Sequence, residues 1–108
     1  MVRSNVVEVR VVAAYKLTLK AARYTRWGEL LPLEGVRIPV RDAIYFSLIK
    51  ECYTPCEVVI TANVPVRLIA PKKHLGYVFV EWSDGERSND RVITMNRNIE
   101  LEARYAPG

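Results

Sequence analysis

The 108-residue chain contains no glutamine, a single histidine and only two cysteines, and each scarcity removes a class of function. A structural zinc site needs about four ligands at short spacings, which two thiols and one imidazole do not supply. His74 stands alone in Lys72-Lys73-His74 and is expected to face solvent rather than to serve as a base. Ser4, Ser47, Ser83 and Ser88 have no nucleophile-elbow context, and no glycine-rich loop follows a strand to cradle phosphate. The acid, base and nucleophile of an enzyme are not visible, so the expectation is a non-catalytic chain with no cofactor and no metal. No apolar run approaches the ~18 residues that cross a bilayer, and residues 1–10 lack the compact apolar core of a signal peptide. Direct membrane insertion is not expected. Runs of five like charges are missing as well, and the basic residues alternate with apolar ones as on a solvated sheet face. The net charge of +4 is therefore a weak attraction for phosphate, acidic polysaccharide or an anionic surface, and nucleic acid is not an expected partner.

What is present points one way. Half of the residues are hydrophobic and 26% are charged, an ordinary globular balance that excludes a disordered chain. The length suits one core, so residues 1–108 read as a single domain. Val and Ile lead the apolar set with six Tyr beside them, and such residues prefer a pleated, half-buried surface to a helix. Arginine outnumbers lysine eleven to five, which together with the missing glutamine suits a heat-tolerant protein.

Period-two alternation recurs along the chain, as in strands with one face on a core. Val7, Val9 and Val11 alternate with Glu8 and Arg10. Tyr15, Leu17, Leu19 and Ala21 alternate with Lys16, Thr18 and Lys20. Residues 25–35 read as a loop, punctuated by Gly28, Pro32 and Gly35, with Trp27 and Leu30 capping an end of the core. Val36, Ile38 and Val40 form a strand whose Pro39 places it at a sheet edge. A turn at Arg41-Asp42 then leads to Ile44, Phe46 and Leu48 on one face. Val58 and Ile60 are expected to form a hairpin, through Ala62-Asn63, with Val64, Val66, Leu68 and Ala70. Residues 77–82 are apolar on both alternating sets and should be covered on both sides. A loop over residues 83–90, a short strand over 92–95, a turn over 96–98 and an alternating strand from Ile99 to Tyr105 complete an all-β pattern. About seven to nine short strands without an amphipathic helix predict an antiparallel β-sandwich, Ig-like or prealbumin-like.

Cys52 and Cys56 stand in Cys-Tyr-Thr-Pro-Cys, where a redox motif would normally have two intervening residues. A short-loop disulfide is expected, implying an oxidising or hyperthermophilic setting, with two free buried thiols as the alternative. Asp84, Glu86 and Asp90 share one loop, but their spacing fits no dedicated calcium loop and a solvated turn is the preferred reading. Trp82 is read as a core residue ahead of a sugar-stacking platform, given its apolar neighbours.

Residues 54–105 resemble the divergent internalin-type bacterial repeat family. The matching residues are Thr54-Pro55, Val64 to Pro71, Gly76-Tyr77-Val78-Phe79-Val80-Glu81-Trp82-Ser83-Asp84-Gly85, Arg91-Val92-Ile93-Thr94 and the final alternating strand to Tyr105. Glu81 departs from the pattern, where the family often has glycine. Tyr77, Phe79, Trp82, Gly85 and Tyr105 carry the motif, with the aromatics as core and Gly85 as the turn. Gly28-Glu29-Leu30-Leu31-Pro32-Leu33-Glu34-Gly35-Val36-Arg37-Ile38 more loosely resembles a hairpin of prealbumin-like and carboxypeptidase-regulatory-like sandwiches. The resemblance implies an exported spacer or stalk unit flanked by a leader and further β domains, partnered by neighbouring domains or subunits of a surface assembly. The expected function is a structural or adhesion module of a secreted or cell-surface prokaryotic protein. Two alternatives stay open. One is a module binding glycan through exposed Tyr and Trp, or acidic polymer through Arg37, Arg41, Arg67, Lys72 and Lys73; the other is a small cytoplasmic partner-binding protein.

Overall fold

A computed structural model describes residues 13–108. The strand expected over Val7, Val9 and Val11 lies outside the described residues. Ten strands form two sheets in a sandwich-like, all-β arrangement, and no helix occurs among the described residues.

The first sheet is organised by β1 (Ala14–Tyr24), whose Leu17, Leu19 and Ala21 are buried while Lys16 and Lys20 project outward. On one side it pairs in parallel with β10 (Ile99–Pro107), from Leu17 opposite Ile99 to Arg23 opposite Tyr105. Parallel neighbours cannot be joined by a tight turn, and here nearly the whole chain intervenes between the two strands. On its other side β1 is shared between β5 (Cys56–Thr61), which covers Ala14 to Leu19, and the three-residue β2 (Leu30–Pro32), which covers Ala22 to Tyr24. Beyond β10 come β8 (Tyr77–Trp82) and the two-residue β7 (Lys73–His74). Lys16 with Glu57 (3.7 Å) and Lys20 with Glu100 (3.3 Å) pair across strands on the exposed face.

The second sheet runs in the order β4 (Leu48–Tyr53), β3 (Arg37–Asp42), β6 (Pro65–Ile69) and β9 (Asp90–Thr94), all antiparallel. Its inward row of Val36, Ile38, Val40, Val66 and Leu68 faces Leu17, Leu19, Leu101, Ala103 and Tyr105 of the first sheet across one core.

Several local expectations are corrected. The strand carrying Pro39 is interior, not an edge. The proline is tolerated because β6 pairs only with Val40 to Asp42, so at Pro39 itself the strand has β4 alone beside it. Residues 56–69 are not a hairpin. After the turn at Ala62-Asn63, with Asn63 at a positive φ of 66°, the chain leaves the first sheet and enters the second. Trp27 does not cap the core, being 81% exposed, and the loop that carries it contains β2. Ile44, Phe46 and Leu48 do not form an inward strand face; all three are exposed.

The strand over residues 77–82 is also not covered on both sides, since Val78 and Val80 are partly exposed. A bulge explains its pattern. Tyr105 pairs with Phe79 and Arg104 with Glu81, leaving Val80 as the extra residue, so Phe79 and Trp82 turn to the same face despite their odd spacing. Their rings meet edge to face at 5.7 Å, and Phe79 meets Tyr105 in the same way at 5.7 Å. Trp82 is fully buried, its indole N–H donating to the Ser88 carbonyl at 2.8 Å. Gly85 closes the following turn at φ 92°, a conformation that favours glycine.

Cys52 and Cys56 lie at disulfide distance with Cα atoms 5.9 Å apart, which links β4 of one sheet to β5 of the other. Between them Thr54 is the buried polar residue of the core: its hydroxyl accepts from Val36 N–H (3.1 Å) and donates to the Leu33 carbonyl (3.2 Å).

Trp82→Ala is expected to lower unfolding free energy by about 3–5 kcal/mol in a denaturant titration, as for other buried large-to-small changes. A loss below about 1 kcal/mol would contradict its place at the centre of the aromatic cluster. Ellman titration of unreduced, denatured protein is expected to find no free thiol, whereas two reactive thiols would show that Cys52 and Cys56 are unbonded.

Candidate partner surface

The five basic residues singled out in the sequence do not form one surface. Arg37, Arg41 and Arg67 sit on the outer face of the second sheet, while Lys72 and Lys73 belong to the approach to β8 in the first. Two of the three arginines are neutralised. Arg37 is paired with Glu51, and Arg67 grips both oxygens of Asp90, with Nε to Oδ1 at 2.7 Å. Arg41 instead donates from Nη1 to the Phe46 carbonyl at 3.1 Å.

Strand register places a single row across all four strands of this face: Leu48 opposite Arg41, Arg41 opposite Arg67, and Arg67 opposite Val92. Leu48 and Val92, at its two ends, are exposed. Over the row lies the β3–β4 loop. Its shape is set by Asp42, whose Oδ1 accepts from Ile44 N–H (2.8 Å) and Tyr45 N–H (2.9 Å), while the Asp42 carbonyl accepts from Phe46 N–H (2.8 Å). Phe46 ends that turn at a φ of 59°, a left-handed conformation costly for a bulky residue. Its ring packs against the Arg67 guanidinium, 5.5 Å from centroid to Cζ, yet remains 54% exposed. Ile44 and Tyr45 project further still. A left-handed aromatic held over a paired guanidinium, with apolar neighbours left in water, is an arrangement that maintenance of the core does not require.

The alternation pattern concealed this loop. Ile44, Phe46 and Leu48 have the spacing of a strand, and only Asp42, a residue that caps turns through its side chain, signals otherwise.

The acidic loop does not converge on an ion. Asp84 takes both terminal nitrogens of Arg91 (2.7 and 2.8 Å), Asp90 takes Arg67, and Glu86 accepts from Ser88 N–H (3.1 Å). No group of three potential metal ligands occurs among the described residues. Hydrogen bonds from Arg91 hold the Asp84 carboxyl below the usual range, and those from Arg67 do the same for Asp90. Burial pushes the Tyr105 phenol upward, and its hydroxyl donates to the Pro71 carbonyl at 2.7 Å. His74 corrects its solvent-facing expectation in part. It is only half-exposed, with Nε2 out of water and without a hydrogen-bond partner among the described residues, 6.4 Å from the Tyr105 ring.

Two openings lie among the described residues. A groove of about 370 Å³ lies where β5 and β2 leave a gap beside β1, floored by Ala21, Ala22 and Leu33. An open cleft of about 510 Å³ lies between β9 and the first half of β10.

No protein-family model matches the chain, and no curated protein matches it.

Because Asp84 and Asp90 have folded-state pKa values below their unfolded ones, the folded state binds fewer protons and their contribution is present above the unfolded value, about 4. It is lost as pH falls through the depressed folded values. Thermal stability is therefore expected to decline below about pH 4, and Asp84→Asn with Asp90→Asn to decline less over that interval. An equal acid loss in parent and double variant would refute the assignment.

Proposed function

We propose that this domain is a non-catalytic adhesion or structural module of an exported, cell-surface protein, and that it contacts a neighbouring protein domain through the outer face of the second sheet. The observation that carries the reading is Phe46, held left-handed and half in water above Arg67. Aromatic residues and arginine are enriched at protein interfaces, where a planar guanidinium and a ring together bury area with few rotamers to freeze. Charge favours a protein partner over an acidic polymer, because Arg37 and Arg67 are already matched by Glu51 and Asp90. The resemblance of residues 76–105 to exported repeats supports the surface setting, as does the Cys52 and Cys56 pair at disulfide distance, since disulfides persist chiefly in oxidising compartments. Carbohydrate binding is the second reading, favoured by Tyr45 and Trp27, each at least 80% exposed.

Antibody raised against the domain is expected to label intact cells of the source organism; label confined to permeabilised cells would overturn the surface reading. A glycan array and a polyanion titration are expected to be negative. Binding to polyanion that weakens steeply with salt, or glycan binding lost in Tyr45→Ala, would replace the protein-contact reading.

A further inference from the structure

The parallel alignment of β1 with β10 brings two turns to one end of the first sheet. Arg23 is level with Tyr105 and Tyr77 with Pro107, so the β1–β2 turn and the β7–β8 turn both project beyond the close of β10. Only β10 lies between β1 and β8, a separation of about 10 Å, and the Arg23 guanidinium reaches across to lie 5.4 Å from the centre of the Tyr77 ring. Each turn carries an apolar side chain at its tip, Trp27 on one and Leu75 on the other, and both are 81% exposed. Thr25 closes the first turn. Its N–H donates to the Glu29 carbonyl (2.8 Å), its carbonyl accepts from Gly28 N–H (3.0 Å), and its hydroxyl accepts from the N–H groups of Trp27 (3.3 Å) and Glu29 (3.1 Å). The tryptophan is therefore held out by a fixed backbone, with the Arg26 guanidinium 5.7 Å from its ring. The second turn is a two-residue hairpin connection with Leu75 at φ 48° and Gly76 at φ 84°. Such turns favour Asn, Asp or Gly at the first position. A leucine there carries a left-handed backbone and leaves its side chain in water, which the core does not require.

Charge at this end is one-sided. Residues 22–31 and 72–78 carry four cations, Arg23, Arg26, Lys72 and Lys73, against one carboxylate, Glu29, in a chain whose net charge is only +4. Among the described residues none of the four is in an ion pair. We propose that this end docks peripherally on an anionic lipid bilayer, with Trp27 and Leu75 entering the headgroup layer and the four basic side chains facing lipid phosphates. Tryptophan settles at that depth because its ring has an apolar body and a polar N–H. Interfacial binding draws on buried apolar area and on attraction to anionic headgroups together, and this end offers both. A protein partner has a fixed relief and would need a hollow for each of two convex tips, whereas a fluid bilayer accepts both at once. A soluble polyanion would use the cations but not Leu75. The contact lies at headgroup depth and involves no span of the bilayer. The Phe46 loop is at the opposite end of β1, where Ala43 N–H donates to the Pro65 carbonyl (3.0 Å) and Ala62 N–H to the Ala13 carbonyl (2.8 Å). Lipid contact thus goes beyond the protein contact proposed above and does not rest on it.

The test is co-sedimentation of the full-length chain with phosphatidylcholine vesicles, with and without phosphatidylglycerol, alongside tryptophan fluorescence. The chain is expected to partition onto the anionic vesicles with a blue shift in emission, which reports Trp27 because Trp82 is already buried. Trp27→Ala is expected to abolish the shift. Combined with Leu75→Asn, a residue suited to the left-handed turn, it should weaken partition at least about tenfold with an unchanged circular dichroism spectrum. Lys72→Gln with Lys73→Gln should weaken binding to the anionic vesicles and reduce its salt dependence. Phe46→Ser should partition like the parent. Absence of partition onto anionic vesicles overturns the proposal. So does equal partition by the parent and the Trp27→Ala, Leu75→Asn variant, which would leave charge alone as the cause, or glycan binding that Trp27→Ala removes. If Phe46→Ser abolishes partition and the tip variant does not, the lipid contact is misplaced and this proposal fails; a negative result on intact cells fails the surface reading alone.

Discussion

The pairing of β1 with β10 is the constraint on which the remaining structure depends. It joins residues near the two ends of the described chain over seven successive partners, so every intervening strand must be placed around an interaction that forms only when the chain has closed on itself. Such long-range pairing carries a large loop-closure entropy, offset here by burying Leu17, Leu19, Leu101 and Ala103 in one layer. Because β10 occupies one side of β1 along most of its length, the other side is divided between β5 and β2, and the groove at Ala21 and Ala22 is the gap between them. On the side of β10 away from β1, β8 pairs only from Ala103 onward, and the open cleft toward β9 lies beside the uncovered first half of the strand.

The second organising device is the bulge at Val80. A regular strand would direct Phe79 and Trp82 to opposite faces; the extra residue brings both inward, where with Tyr105 they form an edge-to-face aromatic cluster. Trp82 then fixes the acidic loop, through its indole hydrogen bond to Ser88 and the Arg91 guanidinium 5.7 Å from its ring. Arg91 in turn binds Asp84. Of the three carboxylates of that loop, Asp84 and Asp90 are taken by arginines and Glu86 accepts from Ser88 N–H, so the loop becomes a support for the tryptophan.

The outer face of the second sheet shows how charge is contained and apolar surface is left. Arg37 and Arg67 are answered by carboxylates on adjacent strands, so the excess of basic residues produces no continuous cationic patch there. Surface ion pairs of this kind add little to stability, but they hold the guanidinium of Arg67 where Phe46 can rest on it. Asp42 sets the turn that leads Phe46 to that position, and the left-handed backbone at Phe46 is maintained by hydrogen bonds on the Asp42 side of the loop.

Local physics determined the all-β class, β1 and its inward face, the turns at Asn63 and Gly85, the core place of Trp82 and Tyr105, and the proximity of Cys52 and Cys56. Each follows from alternation of period two, from residues that tolerate positive φ, or from a short sequence separation. Which strand lies beside which was not legible. Alternation states that Val36, Ile38 and Val40 share a buried face, but a strand's neighbours depend on distant partners, so Pro39 by itself points to an edge strand although β3 is interior and only locally one-sided. Alternation equally could not distinguish the exposed Ile44, Phe46 and Leu48 from a core face, because their exposure arises from a capped turn and a cross-strand arginine. The crossing at Asn63, the bulge at Val80 and the open cleft beside Glu100 belong to the tertiary structure alone, since each is defined by which distant strands lie side by side.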